Sequence, residues 1–196
     1  MRIAVFGASG RTGRLVVARG SERGHDVTAV VRSRPDEPIR AAHTLVVDLG
    51  DRRSVASGVR GAEAVAWTIG PIVGVAGTDV SDAMRTAIEA LGDAGVRRIV
   101  ATANATVLTD REVAGEYANV TAEHRRNLAA LRASDLDWTV LAPPFLTDDA
   151  PTGEIEAVID GRAAGRSLTR GDFAAALVDA LERSDWVGHA IGVANR

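Results

Sequence analysis

Along this chain, short solid apolar runs alternate with longer stretches in which apolar residues recur at helical spacing. The runs at residues 2–6, 26–31, 44–48, 63–68, 97–102 and 136–141 are rich in Val, Ile, Leu and Ala and read as strands. Between them, residues 14–23, 51–59, 79–91 and 121–132 read as helices, and residues 171–182 read as a closing one. The first helix offers Leu15, Val16 and Ala18 to a sheet, the third Val80, Met84, Ala87, Ile88 and Leu91, and the last Phe173, Ala176, Leu177, Ala180 and Leu181. Weaker strand patterns lie at 153–160 and 166–168. Residues 35–43, with Pro35 and Pro38, form a loop, and 107–118 read as an irregular lid. Strands and helices in strict alternation predict an α/β chain: a single-domain, Rossmann-type, doubly wound and mostly parallel sheet with helices on both faces. One domain over residues 1–196 is expected, its C-terminal third contributing a substrate pocket.

The bend between the first strand and the first helix carries the chemistry. Gly7, Gly10 and Gly13 stand three apart in the turn from Gly7 to Gly13, where glycine allows a sharp turn and lets a ligand approach bare peptide N–H groups. The N-terminus of a helix has unpaired amides and the positive end of a dipole, which suits a pyrophosphate. Ser9 and Thr12 add hydroxyls and Arg11 a cation. Glycine triplets also occur as plain turns, but a strand before and a helix after match a dinucleotide-binding fingerprint.

About 20 residues past the glycines, such units place an acid on the adenosine ribose. This chain has Arg32 there, which would pair with a 2'-phosphate and so predicts NADP(H) over NAD(H); the alternative is a solvated strand-end arginine. Asp48, followed by Leu49, falls where adenine would lie, and either accepts from its amino group or caps the next helix. Gly70, Gly74 and Gly77 punctuate an apolar loop after the fourth strand, suited to run over a cofactor or to serve as an ordinary connection. After the fifth strand, Thr102, Asn104 and Thr106 either donate to a nicotinamide or substrate oxygen or satisfy their own loop.

Composition removes several chemistries. There is no cysteine, so thiolate nucleophiles, disulfides and Cys-based metal sites are excluded. All 23 basic residues are arginine, which excludes a Schiff base or a Tyr-Lys catalytic pair; Thr121 stands four residues after Tyr117, the only tyrosine. His124, near the start of the fourth helix, is either a proton donor or a surface residue, and His25, His43 and His189 lie in turns and read as structural or exposed. No metal is expected. With a net charge of -3, scattered arginines and no apolar run near the ~20 residues of a membrane helix, we expect no nucleic-acid or membrane partner and a soluble, unprocessed, cytoplasmic protein.

The segments IAVFGASGRTG (3–13), VVR (30–32), VVDLGD (46–51) and RIVATANA (98–105) resemble the NmrA-like group of atypical short-chain dehydrogenases. Residues 120–153, containing LAPPFLTDDAPTG, and 159–173, IDGRAAGRSLTRGDF, are similar to the biliverdin-IXβ reductase, or NADPH flavin reductase, family. The resemblance runs over nearly the whole chain. It implies a monomeric NADPH-dependent reductase of flavins and linear tetrapyrroles, with a shallow open site. By motif, it implies that Gly7, Ser9, Gly10, Arg11 and Thr12, in the turn closed by Gly13, hold the diphosphate and Arg32 the 2'-phosphate. Asp48 and Leu49 would flank adenine, Gly70 would lie under the cofactor, and Thr102, Asn104, Pro144, Phe145 and Leu146 would frame the nicotinamide. The family has serine at Asn104 and histidine at Phe145, while His124 matches a family histidine. An aromatic ring at 145 still stacks on a planar acceptor, so hydride transfer to a flavin or quinone-like acceptor is expected before a tetrapyrrole. The reading from another class is a non-catalytic NmrA-like sensor of NADP(H); a sugar-nucleotide epimerase lacks its Tyr-Lys pair and its sugar domain here.

Overall fold

The computed structural model describes residues 1–196, and its centre is a strand whose two neighbours come from opposite halves of a crossover. Strand β1 (Arg2–Phe6) pairs in parallel with β2 (Asp26–Val31) on one side and β4 (Ala64–Trp67) on the other. The sheet continues outward to β3 (His43–Val46) beyond β2, and to β5 (Arg98–Thr102), β6 (Asp137–Ala142), β10 (His189–Asn195) and β8 (Ile155–Ile159) beyond β4. Only β8 runs antiparallel. A two-stranded ribbon, β7 (Phe145–Thr147) with β9 (Ser167–Thr169), stands outside this sheet. The doubly wound, mostly parallel α/β sheet is therefore as expected, and its strand order reverses between β1 and β4, where such sheets open a crevice.

Both faces of the sheet are covered, which is why its strands read as solid apolar runs. Helices α1 (Arg11–Glu22) and α5 (Arg170–Glu182) bury Val16, Val17, Phe173, Leu177 and Leu181 against one face. Helices α2 (Arg52–Gly58), α3 (Asp79–Ala94) and α4 (Ala118–Arg132) bury Val55, Met84, Leu91, Leu128 and Leu131 against the other, around a stacked Phe6 and Trp67. On α4, the buried Glu123 carboxylate accepts from the Ser81 amide (2.7 Å) and hydroxyl (2.9 Å), which fixes α4 to the first turn of α3.

Four features depart from the sequence reading. Helix α1 begins at Arg11, so the last three residues of the glycine turn are helical, and its inner face is Gly13, Val16, Val17 and Gly20 while Leu15 is exposed. The glycines bring that helix close to the sheet. Residues 107–118 hold two short 3-10 turns, Ala105–Leu108 and Gly115–Tyr117, the first starting just before that stretch. Strands β7 and β10 were not expected, and His189, read as a turn residue, opens β10 with Asp160 accepting at 2.6 Å from its Nδ1.

Candidate dinucleotide site

The glycine turn follows directly from where its backbone must go. Gly7 has φ of 78°, a left-handed conformation, and its N–H and that of Ala8 both donate to Val30 O, holding the end of β1 against β2. Gly10 N–H donates back to Gly7 O at 2.9 Å, closing the turn. Gly13 is buried so tightly that a Cβ would overlap the Gly7 carbonyl. The first helical hydrogen bond runs from Arg14 N–H to Gly10 O, so the amides of Arg11, Thr12 and Gly13 have no helical partner. Gly10 is the N-cap, no side chain caps it, and the first turn carries no acid. An uncompensated positive helix end thus opens toward the strand ends. Ser9 and Arg11 are exposed there and Thr12 is half-buried.

On the β2 side, Arg32 follows directly on β2 and is exposed. It lines a depression of about 210 Å³ together with Leu49, Ile69, Gly70, Pro71 and Ile72. Three sequence-predicted residues from the ends of β2, β3 and β4 therefore share one hollow. The two readings of Asp48 separate here. Asp51, not Asp48, is the N-cap of α2, accepting from Arg53 N–H at 2.9 Å. Asp48 is exposed, and its carboxylate accepts from Gly50 N–H (2.9 Å) while its own N–H donates to Ser54 Oγ (3.0 Å). The loop beyond Gly70 is tied to the Gly115–Tyr117 turn and to the start of α4: Gly74 N–H donates to Glu116 O and Asn119 Nδ2 to Val75 O. That contact leaves Ile72, 70% exposed, and Val75, 51% exposed, as apolar rim.

On the far side of the crevice, Thr102 ends β5 and Asn104 follows it, but the Asn104 amide is engaged within the protein. Its Nδ2 donates to Thr121 Oγ1 (3.4 Å), its Oδ1 accepts from Thr106, and Thr106 and Thr121 share a 3.1 Å hydrogen bond. These three side chains tie the end of β5 to α4. After β6, Pro144 is half-buried, Phe145 is 73% exposed at the start of β7, and Leu146 packs on the α1–α5 side of the core.

His124 is neither of the things expected of it. It is buried, 7% exposed, and burial pushes its imidazole down from 6.5 to about 4, against a smaller opposing pull from Glu123. At neutral pH it is uncharged and cannot act as a cationic acid. Its Nδ1 has no hydrogen-bond partner.

Of three further residues, Arg170 and Asp148 had no local signal and Asp172 had a single one. Arg170, the first residue of α5, has a side chain only 10% exposed and donates from Nη1 to Thr12 Oγ1 (3.2 Å) and from Nε to Asp148 Oδ1 (2.7 Å). The other Asp148 oxygen accepts from Arg11 Nη1 at 2.9 Å. Asp172 lies in the first turn of α5. It accepts from the Thr152 and Gly153 amides, from Asn195 Nδ2 and from Thr169 Oγ1, joining the start of α5 to the segment before β8 and to the end of β10. Only the Thr169-x-x-Asp172 spacing of a capping box hinted at it.

The family described as NAD(P)H-binding matches residues 7–184. YwnB, an uncharacterised protein of Bacillus subtilis, is 26% identical over 202 residues and 94% of each chain. An uncharacterised protein of Mycobacterium tuberculosis is 36% identical over 109 residues, which are 53% of this chain but only 12% of that protein. The chain therefore spans a small part of the mycobacterial relatives it matches. Among solved structures, a protein of Streptococcus pneumoniae described provisionally as an NADH-flavin reductase superposes with a TM-score of 0.83 over the whole of both chains at 22% identity, a likeness of fold.

Proposed function

This chain belongs to the NAD(P)H-binding family, and on that premise we propose that it is an NADPH-dependent oxidoreductase serving a planar acceptor, a flavin or quinone before a linear tetrapyrrole. The observation that carries this reading is the shared hollow. Arg32, Leu49, Ile69 and Gly70 line it, Ile69 stands against Gly7 of the glycine turn, and the helix that follows that turn has neither a capping side chain nor an acid in its first turn. Anionic phosphates suit that helix end, and the Arg32 guanidinium suits one further phosphate on the ribose. The residues present fit a dinucleotide. Gly7, Ser9, Gly10, Arg11, Thr12 and Gly13 would hold its diphosphate, Asp48 and Leu49 would border the adenine, and Thr102, Pro144 and Leu146 would border the nicotinamide.

When bound, the nicotinamide supplies the hydride, and the protein contributes orientation. The exposed Phe145 ring offers a stacking surface for a flat acceptor. Asn104 is turned toward Thr121 and His124 is held neutral, so both act by shaping the floor, and the proton for the acceptor comes from water. The same reading makes the working unit a monomer and the partner a small molecule, with neither nucleic acid nor membrane involved. No helix is long and apolar enough to cross a membrane.

A second reading is favoured by one observation: His124 is buried and held neutral, which befits an NADP(H) sensor that turns nothing over. Steady-state NADPH oxidation with FMN, riboflavin, simple quinones and biliverdin separates the two. Turnover of a flavin or quinone supports the reductase, saturable binding without turnover on any acceptor supports the sensor, and no dinucleotide binding removes both.

A further inference from the structure

The first residues of two helices, Arg11 of α1 and Arg170 of α5, converge on a single carboxylate, that of Asp148. The two arms are unequal. The Arg170 side chain is 10% exposed and is held a second time by Thr12 Oγ1, whereas the Arg11 side chain is 74% exposed and has Asp148 as its ion-pair partner. An ion pair open to water is weak and parts easily, while the sheltered pair keeps its geometry. Arg170, and more weakly Arg11, hold the Asp148 carboxyl below the usual carboxylate range, so the group stays charged throughout the neutral range. The amides at the start of α1 open beside Arg11 and have no acid of their own.

We propose that Asp148 is a positioning residue that parks Arg11 as an internal stand-in for a diphosphate, so that an incoming dinucleotide has to take Arg11 away from it. This rests on the reading of the glycine turn as a diphosphate site. Arg170 keeps the carboxylate in place during the exchange, and only Arg11 swings. A guanidinium exchanges one carboxylate for a diphosphate without losing its forked donor geometry. The carboxylate left behind then repels the bound diphosphate and limits how tightly the cofactor is held.

Isothermal titration of the full chain with inorganic pyrophosphate, NADPH and NADH tests this, using wild type, Asp148→Asn, Asp148→Ser, Arg11→Ala and the Asp148→Asn/Arg11→Ala double variant. Removing the charge is expected to tighten all three ligands by a common factor of about fivefold to twentyfold, from the lost repulsion and the released arginine. Most of the gain disappears in the Arg11→Ala background, where only the relieved repulsion remains, and pyrophosphate binding becomes more salt-dependent in Asp148→Asn than in wild type. A purely structural role would instead weaken every ligand. Unchanged or weaker pyrophosphate binding in both single Asp148 variants overturns the proposal, as does a gain that persists in full without Arg11. A wild-type protein that binds neither pyrophosphate nor a dinucleotide fails at the earlier step, the diphosphate site itself, and takes this inference with it.

Discussion

The imidazole of His124 lies under Gly70: a Cβ added to that glycine would stand 3.9 Å from the His124 Cε1. The histidine therefore sits below the bed of the crevice. Its suppressed protonation gives folding a pH dependence of definite sign. The unfolded chain takes up a proton as pH falls below 6.5, and the folded chain refuses it until about 4. The contribution is complete above 6.5 and is lost across that interval, by on the order of 3 kcal/mol. Urea unfolding at pH 7 and pH 4.5 should show this loss in wild type, and a His124→Leu variant should lose that part of the slope.

Gly13→Ala should be among the most damaging single changes. Its methyl group would overlap the Gly7 carbonyl and the Ala8 Cα, both backbone and unable to yield. The expected cost is on the order of 3 kcal/mol in thermal or chemical unfolding. Gly24→Ala, where no atom lies within 4 Å of the added Cβ, serves as its control for space, although φ there is 77° and some strain remains.

Arg32→Ala should weaken NADPH by about tenfold to a hundredfold, the worth of a charge-assisted hydrogen bond, and leave NADH nearly unchanged. Fluorescence titration with both dinucleotides reads the ratio. Equal losses would mean that Arg32 does not meet the 2'-phosphate.

Asp172→Asn should destabilise the C-terminal third. Burial pushes the Asp172 carboxyl up, but donations from Thr152, Asn195, Gly153 and Thr169 outweigh it and bring the group to about 2. Its contribution, roughly 2 kcal/mol, is present above the ordinary value of 3.8 and is lost as pH falls toward 2. The wild type should become less stable through that window in acid titrations, and Asp172→Asn should be less stable at pH 7 and flatter below 3.8.

Phe145→Ala should raise the KM for a flavin by about tenfold through lost stacking while leaving NADPH affinity within twofold. A parallel loss in NADPH affinity would show that the ring packs on the cofactor and not on the acceptor.

How much of this was legible beforehand follows from how local each feature is. The strand, glycine turn and helix at the start are encoded within two dozen neighbouring residues, so the turn is found where it was read, between β1 and α1, with the Gly7 amide on Val30 at the end of β2. The capping role of Asp51 and the turn at Asp48 required the helix boundary, which periodicity locates only to a few residues. Strand β10 carries Gly192, whose lack of a side chain admits the Gly161 carbonyl, and a glycine inside a short apolar run hides a strand. Strand β7 is three residues long and exists through its partner β9, and the Arg170–Thr12 contact joins positions 158 apart. Neither leaves a period in the sequence. The burial of His124 goes with the packing of α4 on the first turn of α3, marked by the Ser81–Glu123 hydrogen bond, which again is tertiary.

The two faces of the sheet differ in how far apart in the chain their helices lie. Helices α2, α3 and α4 are near neighbours in sequence, whereas α1 meets α5 across an interval of some 156 positions, as at Arg23 and Asp179. Loop closure makes such distant pairings slow to form. The α1–α5 layer, and with it the Arg170–Thr12 contact at the diphosphate turn, should therefore be the last to consolidate and the first to open, so native-state hydrogen exchange should find the α5 amides less protected than those of α3. A dinucleotide bound at that turn would slow their exchange at a distance from any atom it touches.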